Sequence, residues 1–535
     1  MSALRVSALG LVGLCLVLQP VGAAAQGAAF DERPSGFLSA RAGGMPPDAW
    51  RSTTLATAKR LVSGVPVAPR SRALRDLQFR VMVSELVPPV ADGSALPSLF
   101  ARKAERLAAM GEGESLNEMV RSVDGYTDPA IAASVANAMM MAGERAGACF
   151  IVRNRQLTQP FGRRADAACR LIAGDNGGAL ALVASLRASD GPFATLVEMA
   201  VGGLPPSPTP VNPLDGPVMV MLDLAHVPPP AAALQSTQPA LIRTLVAHRT
   251  LPLATRIDIA ERGEALAIVE ATRLGDLYLQ AMREGAALPP AMARRARLVA
   301  AARNAANAQE MMSAVSAIYG EMRGTPLFPT LARASATALL KLPAKPEYAN
   351  VAQEAMRGFL LLGDKQLSLA WTKLALNAAY NNARAMMALD RLMPLVMIAG
   401  IDKTTKLLPE DVDRWYEVMR QDDAKAAPLR GYLLLQLFRA TGFDVPPGST
   451  KLPENPPAGV RLVPPPAATM QALQAAVAGG RRAEAALLAS TAAGETALAD
   501  LHPAAVGAIV RALRDIGEED EARLFAIEAA IAHGL

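Results

Sequence analysis

The sequence predicts an all-α protein built of antiparallel helix pairs stacked as an α-solenoid, with two proline-rich connectors. Three observations carry that prediction. The chain is 51% hydrophobic but only 4% aromatic, and its apolar mass is mostly Ala, Leu, Val and Met, which suits close-packed helices better than a strand-rich sandwich. Apolar residues recur at helical spacing through most of the 535 residues. Short Gly-containing turns separate the periodic stretches, as expected where neighbouring helices pack as antiparallel pairs.

The first element is an address. Arg5 supplies a short positive region, Val6 to Leu18 an apolar stretch, Pro20 a break, and Ala23-Ala24-Ala25 the small residues that a signal peptidase requires. Residues 1–25 therefore read as a secretory signal cleaved near Ala25 or Gln26, with an uncleaved anchor as the alternative. Cys15 follows Leu14 inside the apolar stretch, which excludes a lipid-modification site. Beyond the leader no apolar stretch approaches 18 residues, so the mature chain is expected to be soluble in the periplasm or outside the cell.

Residues 26–50, rich in Gly, Pro and Ala, read as a flexible N-terminus. Residues 51–201 form a first helical domain. It contains Cys149 and Cys169, 20 residues apart with Pro160-Phe161-Gly162 between them, which suits a disulfide across a helical hairpin; two separate buried thiols are the other reading. Residues 202–238 form a connector carrying nine prolines between Pro205 and Pro230. Residues 239–443 form a helical repeat region, 444–467 a second linker with eight prolines between Pro446 and Pro466, and 468–535 a compact C-terminal helical segment.

The stripes are explicit. Leu367, Ala370, Trp371, Leu374, Ala375 and Ala378 line one face, and Val351, Ala355, Met356, Phe359 and Leu360 another. Near the end come Val506, Ile509, Val510 and Leu513, then Ala522, Phe525, Ala526, Ala529 and Ala530. A turn recurs between such helices: a Gly, four residues, then a small residue. It runs Gly174 to Ala179, Gly363 to Ser368, Gly480 to Ala485 and Gly517 to Ala522. Glycine takes the left-handed conformation that ends a helix, and the small residue lies where the helices cross. These stretches resemble the turn and second-helix start of tetratricopeptide-like repeats. The resemblance covers only these stretches, and the four copies do not keep a 34-residue register. It implies a solenoid with a concave face for peptides or protein partners; an irregular helical bundle is the competing architecture.

Catalytic and cofactor motifs are missing. The chain has no Gly-Lys dipeptide for a phosphate loop, no Ser-x-x-Lys, no Gly-x-Ser-x-Gly elbow and no paired histidines for zinc, so no cofactor or metal is expected. Of the four histidines, His502 and His533 read as capping or surface residues and His226 as a loop residue. Acidic groups such as Glu112/Glu114, Asp422/Asp423 and Glu518/Glu519/Asp520 read as polar turns and helix starts. The basic clusters Arg163-Arg164, Arg294-Arg295-Arg297 and Arg481-Arg482 read as helix surface. The net charge of +5 is mild and aromatics are not interleaved with the basic groups, which argues against nucleic acid. Trp371 reads as core, whereas Trp415 and Tyr416 are candidates for a binding groove.

The expected role is a secreted or periplasmic helical-repeat scaffold or adaptor for protein or peptide partners of the cell envelope. A cell-wall-acting enzyme is the alternative; it predicts a deep pocket with perturbed carboxylates, where a scaffold predicts shallow grooves. Peripheral membrane contact through Met139-Met140-Met141 requires that face to be exposed. Mass spectrometry of the protein taken from its native envelope should find a mature N-terminus at about residue 26; an intact Met1 would refute cleavage.

Overall fold

The computed structural model describes residues 34–94, 97–123, 128–380, 382–401, 406 and 408–535. The expected leader, residues 1–25, lies outside them. Among the described residues there are 27 α-helices and three short 3₁₀ segments, and no strand; three isolated bridges join Leu38 to Ser84, Thr54 to Val90 and Val463 to Leu501. The protein is all-α, and its helices pack in sequential pairs as in a solenoid.

Local chemistry sets the helix ends. Thr54, Ser71, Ser98, Asp215 and Asp364 each accept a backbone N–H of the first turn that follows them. The four recurring turns end their helices in the left-handed conformation, with φ of 79° at Gly174, 71° at Gly363, 64° at Gly480 and 88° at Gly517. The small residues that follow, Ala179, Ser368, Ala485 and Ala522, are all buried. A β-carbon at these glycines would be strained whatever space surrounds it. Of the stripe on Lys365–Ala379, Trp371, Leu374 and Ala375 are buried while Ala370 faces outward.

The array closes on itself, which decides where everything else sits. The helix Arg72–Val83 packs against Arg482–Ala493 and Glu519–Ala532, more than 400 residues further along the chain. Thr53 donates to Glu484 at 3.0 Å, the Ser490 hydroxyl donates to the Leu74 carbonyl at 3.2 Å, and Ala483 N–H donates to the Ala49 carbonyl at 2.9 Å. Held between both ends of the chain, Arg482–Ala493 is buried on nearly every face, which its run of alanines permits.

Closure overturns several boundary expectations. Residues 34–50 are not a free arm: Met45, Ala49 and Trp50 are buried, and Phe37 and Leu38 both donate to the Val83 carbonyl. The 202–238 connector contains the buried helix Gly216–Leu224, whose apolar run Val218 to Leu222 has to be covered by protein. The 444–467 stretch buries Val445 and Leu452 and is fastened by Arg439 to Glu454 at 2.9 Å, so it is packed structure and not a free linker. The 468–535 segment is not separate, since it completes the core of the N-terminal helices.

Cys149, on Arg145–Asn154, and Cys169, on Phe161–Ile172, are joined by a disulfide with Cα atoms 5.4 Å apart. Met139, Met140 and Met141 are buried, so that face is withdrawn from any membrane contact. Among the described residues no helix is long and apolar enough to cross a membrane. Replacing both cysteines by serine should lower unfolding stability by about 3 kcal/mol, the loop-closure value for a cross-link of this span, read as a shifted urea midpoint. An unchanged midpoint would mean the bridge adds nothing.

Candidate functional site

Closure leaves a cavity of about 740 Å³ between the chain's two ends and its middle. Seven arginines line it, Arg70, Arg72, Arg323, Arg333, Arg357, Arg391 and Arg430, against four carboxylates, Glu264, Asp422, Asp423 and Glu528. Phe328, Met419, Leu498, Ile531 and Leu535 supply apolar wall. The volume falls within the range of small-ligand sites. A depression of about 720 Å³ bounded by Arg249, Arg256 and Arg273 is similar in size but has no comparable apolar lining.

The wall is held by ion pairs. Glu264, on Leu253–Ala265, is completely buried. Arg333 of Phe328–Leu339 donates to both its oxygens, at 2.7 and 2.8 Å, and Arg72 donates at 2.6 Å. Burial alone would raise the Glu264 carboxyl, but the Arg333 and Arg72 guanidiniums outweigh it and hold the pKa at about 2. Glu528 shares this wall. It accepts the Ser71 hydroxyl at 2.5 Å and the Arg72 backbone N–H at 3.0 Å, tying the last helix to the start of Arg72–Val83. Burial shifts Glu528 upward in spite of these donors.

Two further arginines are matched: Arg391 makes two 2.9 Å bonds to Asp422, and Arg430 lies 3.7 Å from Asp423. Arg70 donates to the Glu495 carbonyl at 3.3 Å. Arg323 and Arg357 form no salt bridge among the described residues. His533 is pushed down to about 4 by burial, so it is neutral at physiological pH and adds no charge.

The residues singled out in the sequence are distributed otherwise. Trp415 and Tyr416, candidates for a groove, are both buried, and the Tyr416 ring packs so tightly over Gly431 that a β-carbon there would lie 2.7 Å from it. They belong to the core; Met419, one turn along the same helix Pro409–Asp422, reaches the cavity instead. The disulfide and the four glycine turns lie away from the cavity lining and serve the framework. His502 caps Pro503–Asp515, accepting the Ala504 N–H at 3.2 Å, and His226 sits in a turn with φ of 54°. His533 is half-buried at the cavity and is not simply a surface residue. The adjacent basic clusters are structural: Arg164 pairs with Asp215 at 2.6 Å, Arg294 with Glu321 at 2.6 Å, Arg295 with Glu261 at 2.8 Å and Arg481 with Glu484 at 2.9 Å. Glu112 likewise bridges Arg75 and Arg243, at 2.6 and 2.8 Å.

The cavity arginines carry no joint mark in the sequence, because apart from Arg70 and Arg72, two residues apart, they stand on separate helices and loops. Among the described residues no group of His, Cys, Asp and Glu could hold a metal ion. No family model, curated protein or solved structure matches the chain.

Glu264→Gln should destabilise the protein by about 3–5 kcal/mol, because it leaves the buried Arg333 and the half-buried Arg72 without the carboxylate they share. The depressed Glu264 pKa also sets a pH dependence. Its stabilisation is present above about pH 4.5, the unfolded value, and is lost as pH falls toward about 2. Chemical unfolding from pH 7 down to pH 3 should show a falling stability in the parent and a flatter profile in the variant. Parallel profiles would remove Glu264 from that role.

Proposed function

We propose that this chain is a periplasmic or secreted helical-repeat scaffold that binds an acidic peptide segment of a cell-envelope partner in the cavity between its two ends. One observation carries the reading: seven arginines face four carboxylates around a ligand-sized space with an apolar wall. Guanidiniums offer planar donor forks that match carboxylates, and the enclosed setting strengthens those bonds. The disulfide accords with an oxidising compartment. The cavity is deeper than the shallow groove expected of a plain solenoid, and the closure of the array accounts for that depth.

A second reading, the cell-wall-acting enzyme, has one observation in its favour. Glu264 and Glu528 are both buried at the cavity wall, with pKa values displaced in opposite directions, a pattern that elsewhere separates acid from base. Against it, both carboxylates already hold structural donors: two arginines on Glu264, and a hydroxyl and a helix N–H on Glu528. Turnover of purified peptidoglycan that disappears in Glu528→Gln would establish this reading in place of the first.

The binding reading is tested by fluorescence anisotropy with a short glutamate-rich peptide and its glutamine counterpart. The acidic peptide should bind, and its affinity should fall at least tenfold from about 0.05 to about 0.5 M salt as ionic screening grows. The glutamine peptide should bind far more weakly. Equal binding of the two, or no dependence on salt, would refute the reading.

A further inference from the structure

We infer that Arg323 and Arg357, with the Phe328 ring beneath the second of them, form an oxyanion subsite in the cavity that takes a carboxylate group of the bound peptide. This deepens the acidic-peptide reading and rests on it for the identity of the occupant.

The sequence builds the subsite from two neighbouring connections. Arg323 closes the helix Ala308–Met322, its N–H donating to the Tyr319 carbonyl at 3.2 Å. Gly324 then turns the chain with φ of 79°, Thr325 N–H and Oγ1 both donate to the Met322 carbonyl, and Pro326 and Pro329 stiffen the passage into Phe328–Leu339. Arg323 is thus an exposed cation on a rigid turn at the cavity. Arg357 comes from Ala352–Leu362, and its guanidinium carbon lies 5.8 Å from the centre of the Phe328 ring. Phe328 is itself braced edge-on by Tyr319, with ring centres 5.3 Å apart.

Arg357 is the informative residue. Its Nε is buried without a hydrogen-bond partner, as are those of Arg72, Arg164, Arg243 and Arg262, but unlike them it has no carboxylate partner among the described residues. Burial, then the nearby Arg323 charge, push it down to about 10. Tyr319 and Glu354 act in the opposite direction, and Glu354 also feels both arginines, yet it forms no salt bridge with either. Other arginines at this wall are ion-paired: Arg333 and Arg72 share Glu264, and Arg391 pairs with Asp422. A guanidinium with a buried, unpartnered Nε, beside a second cation that forms no salt bridge among the described residues, is an unfavourable arrangement. A carboxylate held between the two relieves both the desolvation and the mutual repulsion, and that relief becomes affinity. The Phe328 face holds the guanidinium plane in place without satisfying its donors.

The test uses the full chain and the variants Arg357→Met, Arg357→Lys and Arg323→Ala, with the acidic peptide, acetate and inorganic phosphate as probes. Peptide affinity should fall at least tenfold in Arg357→Met and Arg323→Ala, the scale of one lost charge-assisted bond, and should recover in part in Arg357→Lys. The melting temperature of Arg357→Met should equal or exceed that of the parent, because a cation whose Nε is buried without a partner has been removed. Acetate should raise the melting temperature of the parent and leave that of Arg357→Met unmoved. If the parent binds the peptide and both arginine variants bind it equally well, the subsite is overturned while the cavity reading stands. If the peptide fails to bind the parent but acetate still protects it through Arg357, the peptide reading falls and the subsite stands. Protection by phosphate alone would overturn the carboxylate assignment. A melting temperature lowered by more than about 5 °C in Arg357→Met, with binding unchanged, would mark Arg357 as purely structural.

Discussion

The structure depends on one buried carboxylate. Glu264 has no exposure to solvent and sits between Arg72, near the beginning of the chain, and Arg333, past its middle. An ionised group in that position is tolerable only if its counter-charges are held in place, and each counter-charge rides on a different helix. The clamp therefore pins three distant helices together. Glu528 extends it to the final helix through Ser71 and the Arg72 backbone. Hydrophobic burial supplies most of the cohesion, but it is non-directional. The ion pairs select which helices meet at the closure.

That closure explains why the molecule has a cavity. Helix pairs stacked in an open series would leave a shallow concave surface. Here the N-terminal helices fill the gap against Arg482–Ala493 and Glu519–Ala532, so part of the concave face becomes an enclosed wall. Enclosure lowers the local dielectric and makes every unmatched charge more consequential. Glu264 and Asp422 neutralise part of the arginine lining, whereas Arg323 and Arg357 form no salt bridge among the described residues; the proposed carboxylate preference rests on these two.

Buried polar groups in folded proteins are normally satisfied, so those that are not require an explanation. The pairs Arg295–Glu261 and Arg75–Glu112 are satisfied and distribute over the framework, and Arg164 is paired with Asp215 although its Nε has no partner. Arg357 is half-buried, its Nε is buried without a partner, and among the described residues it forms no salt bridge while lining a ligand-sized space. The buried carboxylates of the wall, in contrast, already hold donors, which is the ground on which binding is proposed ahead of acid–base catalysis.

Helix content, helix ends and the small-residue crossings were determined by the sequence alone. Capping side chains, left-handed glycines at Gly174, Gly363, Gly480 and Gly517, and apolar spacing act within a few residues, so their consequences can be read locally. The cysteine spacing likewise pointed to the bridge across one hairpin. Tertiary structure decided what depends on separation in the chain. Proline-rich stretches resembled linkers because proline prevents helix locally, yet Val445, Leu452 and the 218–222 run found cover from elements far away. Trp415 and Tyr416 resembled a groove because an aromatic pair carries no mark of which face its helix will bury. The seven cavity arginines span residues 70 to 430 and, apart from Arg70 and Arg72, stand on separate helices and loops, so only closure of the array converts them into one site. Their meeting is set by long-range packing and by the Glu264 clamp, neither of which leaves a local signature.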